Sequence, residues 1–156
     1  MSRKYSKILR NRKQRIARRL KPRAWPEQDQ PMFSGNNIHY AMAEKTRAIS
    51  CGGIGAMPRL CQKIGLVDSL NEKVSVLKRH LPYHESDHIL NVAYNIMAGG
   101  VRLGDIELRR QEECFLNGLG AQRLPDPTTA GDFTRRFEPK DILDMMAAIN
   151  EARQRV

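Results

Sequence analysis

The first 26 residues carry eleven Lys and Arg and no Asp or Glu: Arg3, Lys4, Lys7, Arg10, Arg12, Lys13, Arg15, Arg18, Arg19, Lys21 and Arg23. A segment charged in this way cannot join an apolar core, because unpaired cations are too costly to take out of water. The rest of the chain holds 16 basic and 17 acidic residues, so the net charge of +10 describes a near-neutral body with a cationic arm. Ile8, Ile16 and Leu20 fall on one face of a helix, a stripe too thin to hold a helix alone in water. The expectation is a disordered or partly helical arm that orders on a partner. Pro22, Pro26 and Pro31 mark the linker behind it. Arm and linker take residues 1–36, and the body takes 37–156.

The body reads as mainly α, a small multi-helix domain. Weak alternation at Ile38, Tyr40 and Met42 suggests one short strand over 38–42. The glycines from Gly52 to Gly55 make a turn, followed by a helix over 56–64 and a short one within 68–77. The clearest helix starts at Ser86 as N-cap with Asp87 in its first turn. Ile89, Val92, Ala93, Ile96 and Met97 then have the spacing of a buried stripe, and Gly99 and Gly100 end it. Short helices follow over 103–110 and 112–116. Thr128 or Thr129 would cap another through Phe137. A last helix opens at Pro139 with Ile142, Met145, Met146 and Ile149 on its apolar face.

His84 to His88 reads HESDH, a literal H-E-x-x-H. Zinc binding by that motif requires both histidines inside one helix. Pro82 and the expected cap place His84 ahead of the helix, so no metal site is assigned, and His84, Glu85 and His88 read as surface or capping groups. His80, His84 and His88 repeat every four residues, but Pro82 interrupts the line. The three cysteines match neither a zinc pattern nor a disulfide framework and read as buried or half-buried thiols. Asp141 and Asp144 are better explained by the helix dipole and a solvated face than by metal chemistry. No nucleotide-binding glycine motif is present, and no apolar run is long enough to span a bilayer.

Nucleic acid is the partner this pattern favours. Arg10, Arg12, Lys13, Arg15, Arg18 and Arg19 would neutralise phosphates without reading sequence. DPTTAGDFTRRF, Asp126 to Phe137, offers a stiff proline turn feeding a helix. Thr128 and Thr129 at its start would donate to phosphate, and Arg135 and Arg136 follow. With the helix before it, this gives a helix-turn-helix-like unit around 112–137. Phe133 and Phe137, four apart, support a competing reading in which the helix is a packing element and the arginines form surface ion pairs.

YHESDHILNVAYNIMAGG, the DIELRR run from Asp105 to Arg110, and DPTTAGDFTRRF together resemble the N-terminal region of bacterial insertion-sequence transposases whose catalytic half is the DDE transposase domain, group 1. NRKQRIARRL, NIHYAMAEKTR and GGIGAM extend the similarity over nearly all of the chain. The resemblance implies a truncated transposase. The family's catalytic carboxylates would fall after Val156, so no residue here inherits a catalytic role and no cofactor is expected. The divalent metal, such as Mg, belongs to the family's catalytic domain. The implied partners are the terminal inverted repeats of the element and further copies of the chain, with no membrane, in a bacterial cytoplasm and on the nucleoid when DNA-bound. The alternative is a helical dimerisation or interaction module whose arm binds nucleic acid nonspecifically.

Overall fold

A computed structural model describes residues 10–11, 13–18, 29–33 and 51–156. The short strand expected over 38–42 lies outside the described residues, as do Arg12 and Arg19. From residue 51 onward the chain is mainly helical: α1 (Ala56–Lys63), α2 (Leu66–Lys73), α3 (Glu85–Met97), a 3-10 turn (Leu103–Asp105), α4 (Ile106–Gln111), α5 (Glu113–Gly118), α6 (Pro127–Thr134) and α7 (Pro139–Arg153). The described arm residues 10–11 and 13–18 are also helical.

α3 organises the body, but with the opposite face inward from the one its hydrophobic spacing indicates. Leu90, Asn91, Tyr94 and Asn95 are buried, while Ile96 is 62% and Met97 56% exposed. The reason lies in backbone groups of irregular segments, which need partners once they are buried. Asp87 accepts from the amides of Met32 and Phe33 at 3.0 and 2.9 Å. Asn91 Nδ2 donates to the Pro125 carbonyl at 3.3 Å, and Asn95 Nδ2 to the Arg102 carbonyl at 3.2 Å. The polar face of α3 is therefore the internal scaffold for three loops. The helix also starts two residues earlier than expected. Its N-cap is His84 rather than Ser86, and the His84 amide donates to Asp87 at 2.9 Å.

Around Tyr94 and Leu90 the core gathers Phe33, Cys61, Phe115, Leu116 and Leu119. The Phe33 and Tyr94 rings meet edge to face at 5.4 Å, and the Tyr94 hydroxyl donates to Cys61 Sγ at 3.6 Å. Cys51 is buried with Cys61, but Cys114 is exposed, contrary to the expectation for all three thiols. Gly65 joins α1 to α2 at φ 66°, a left-handed conformation that favours glycine.

α7 packs along α2 through Ala148 and Ala152, its two buried residues. The expected apolar face does not lie inward: Ile142, Met146 and Ile149 are exposed, with Leu143 beside them, and Met145 is half-buried. Small alanines let the two helices approach closely, and bulky neighbours are left outside. The Lys73–Glu151 pair at 3.2 Å and bonds from Arg155 Nη1 to the Ile64 carbonyl and Ser69 Oγ, at 3.1 and 3.3 Å, secure the contact.

Candidate nucleic-acid interface

Leu124, Pro125 and the Asp126–Pro127 pair set the start of α6. Asp126 is the N-cap, rather than Thr128 or Thr129, and the helix ends at Thr134, short of Phe137. The Asp126 carboxylate accepts from both the Thr129 amide and the Thr129 hydroxyl at 2.9 Å. Thr129 therefore spends its donors inside the cap, while Thr128 stays exposed. Partial burial works to raise the Asp126 carboxyl, but the Thr129 bonds and the nearby Arg110 charge outweigh it and hold the group below the usual carboxylate range. A negative charge thus already occupies the electropositive end of α6.

Phe133 is the helix's anchor. It is 3% exposed and stacks on His88 at 4.3 Å between ring centroids, with Phe137 edge-on at 5.1 Å. The packing role expected for the phenylalanines and a solvent-facing cationic edge coexist in α6 and the turn that follows it. Arg135 pairs with Asp132, and both side chains are exposed. Arg136 is exposed and lines a cavity of about 250 Å³ together with Arg79, Thr129, Tyr83, His88 and Phe133. Burial first, and the Arg136 charge second, push His88 down to about 4, so its ring is neutral at pH 7. Burial also raises Tyr83 to about 12. The cavity brings the Tyr83, His88 and Phe133 rings together with the Arg79 and Arg136 guanidinium groups and one carboxylate, that of Asp132, which is paired with Arg135.

Arg79 is the residue that sequence reasoning left out. The basic pair Lys78–Arg79 was the available signal, but only tertiary folding places it against α6. The other half of the expected helix-turn-helix-like unit, α5, is joined to α6 by residues 119–126, and α6 packs on the 3-10 turn and on α3.

The arm's described residues run beside α5. Ile16 is half-buried, Arg15 is ion-paired with Glu113, and a cavity of about 610 Å³ lies between Asn11, Arg15, Glu112, Cys114 and Asn117. Arg10, Lys13 and Arg18 remain exposed. One of the arm's candidate phosphate contacts is thus engaged with the body, and three face solvent.

The H-E-x-x-H segment does not bring its two histidines together. His88 turns to Phe133, and His84, as the N-cap, lies ahead of the helix. His84, Glu85 and His88 are all buried rather than surface groups. Among the described residues, no helix is long and apolar enough to cross a membrane. No protein-family model, curated protein or solved structure matches the chain.

Proposed function

We propose that this chain is a DNA-binding region of the kind that precedes the catalytic domain in DDE transposases, engaging the ends of an insertion sequence without cutting or joining them. The observation that carries this reading is that Arg79 and Arg136 line one cavity in which Asp132 is the single acidic residue, beside the exposed Arg135 that Asp132 pairs with. Guanidinium groups in this setting suit phosphate oxygens, which fix a protein on a duplex, and reach base edges when a groove is presented. The cationic arm adds contacts that release counterions and read no sequence. No catalytic cofactor is assigned to the chain in this reading, and the metal that strand transfer requires would belong to a separate catalytic domain.

A mobility-shift titration with an element-end duplex against random competitor tests this. Arg136→Ala and Arg79→Ala should weaken the specific complex, and equal binding of wild type and both variants would remove the assignment. A second reading, a helical interaction module, is favoured by the outward apolar residues Ile96 and Met97 on α3 and Ile142, Leu143 and Met146 on α7. Exposed apolar surface of this type marks protein contacts. Concentration-dependent self-association without DNA affinity would favour it.

A further inference from the structure

The loop ahead of α3 and the first residues of that helix bring together three side chains with metal-ligand chemistry. His80 Nε2 lies 3.1 Å from Glu85 Oε2. The His80 and His84 rings stack with centroids 3.9 Å apart and planes 13° from parallel. One ligand atom from each of His80, His84 and Glu85 lies within 4.8 Å of the other two. We propose that these residues bind a zinc-class divalent cation, with two imidazoles and one carboxylate as ligands and the fourth position left to water.

The ligand set selects the metal class. Imidazole nitrogen with one carboxylate suits zinc and its neighbours, whereas magnesium and calcium take oxygen. Two donors, each about 2.0–2.1 Å from one tetrahedral zinc ion, stand about 3.3 Å apart. The His80–Glu85 spacing is already close to that of neighbouring ligands. Glu85 is 3% exposed, and its other oxygen accepts from the Leu77 amide at 3.0 Å. Such a bond fixes a carboxylate as supporting hydrogen bonds do around metal ligands. His80 lies within ion-pair distance of this buried carboxylate, and it is charged only when protonated. A divalent cation supplies the compensation that a buried carboxylate demands.

Two of the three ligands are held in place. Glu85 is fixed by Leu77, and the backbone that carries the His84 ring by its amide bond to Asp87. His80 is the adjustable one. Its side chain is 32% exposed, so it can turn out of the stack and converge on an ion. His84 also borders a cavity of about 620 Å³ shared with Asp29, Asp68, Asn71 and Glu72, an acidic approach for a cation.

The test is calorimetric titration of the full, tag-free chain, first stripped with chelator, using zinc and then magnesium, alongside thermal melts. One zinc ion per chain, a rise in melting temperature with zinc, and no response to magnesium are expected. His80→Ala should lower zinc affinity by at least about tenfold, the scale of losses seen when metal sites are perturbed. Its metal-free melting temperature should fall, because the bond to buried Glu85 and the stack on His84 go with the ring, but the variant should still unfold cooperatively, so its zinc affinity can be read. Glu85→Gln should lower affinity likewise, and if that variant does not fold, His80→Ala decides the matter alone. Absence of zinc binding by the folded wild type, or unchanged zinc affinity in His80→Ala, overturns the site. Neither outcome bears on DNA binding, since none of the three ligands is a proposed DNA contact.

Discussion

Asp87 Oδ1 accepts a hydrogen bond from the Phe33 amide at 2.9 Å, across 54 residues of sequence. The same carboxylate takes the amides of Met32 and His84, so one buried side chain ties the segment ahead of the body to the start of α3. Burial raises the Asp87 carboxyl above its ordinary value, and the three amide bonds limit that rise. Removing the acceptor strands three backbone donors. Asp87→Ala should therefore destabilise the fold by at least about 3 kcal/mol in urea unfolding, and Asp87→Asn, which keeps one acceptor oxygen, by less. A loss below about 1 kcal/mol for Asp87→Ala would mean that these bonds do not hold the segment.

His88 makes stability depend on pH in a defined window. Its folded value, about 4, lies below the ordinary 6.5, because burial and then the Arg136 charge disfavour the cation. The folded state binds the proton less readily than the unfolded chain, so this contribution is complete above pH 6.5 and is lost as pH falls toward 4. The loss reaches up to about 3 kcal/mol. His88→Phe preserves an aromatic ring against Phe133 and should flatten the slope between pH 6.5 and 5. An unchanged slope would assign the pH dependence to other groups.

The orientation of α3 is open to direct test by two neighbouring substitutions. Tyr94→Ala should cost about 3–5 kcal/mol, as expected for a large buried ring. Ile96→Ser should stay within about 0.5 kcal/mol, as expected for an exposed position. The reverse order would restore the inward stripe of Ile89, Val92, Ala93, Ile96 and Met97 that the spacing alone suggests.

Helix positions were legible in the sequence; helix faces were not. Gly99 and Gly100 ended α3, and Pro139 opened α7, because backbone constraints act locally. Which side of α3 turns inward depends on Asn91, Asn95 and Asp87 meeting the amides and carbonyls of distant loops, and no periodicity encodes that. Polar residues were read as outward when they were the groups that satisfy buried backbone. At α6, both suggested roles had a physical basis in the same twelve residues: Phe133 anchors, and Arg135 and Arg136 face solvent. Arg79 was missed, and the His80–His84 spacing was set aside because of Pro82, for one reason: only the fold returns the 78–84 loop against both α6 and the start of α3.

The most direct test of DNA engagement is the salt dependence of duplex binding, measured by fluorescence anisotropy for the intact chain and for an Arg79→Ala/Arg136→Ala double variant. Log affinity should fall linearly with log salt, and the double variant should bind more weakly with a slope shallower by about 2, one unit for each lost phosphate contact. Duplex binding that ignores salt, or a folded double variant with the wild-type slope and affinity, would contradict the placement of DNA at the Arg79–Arg136 rim.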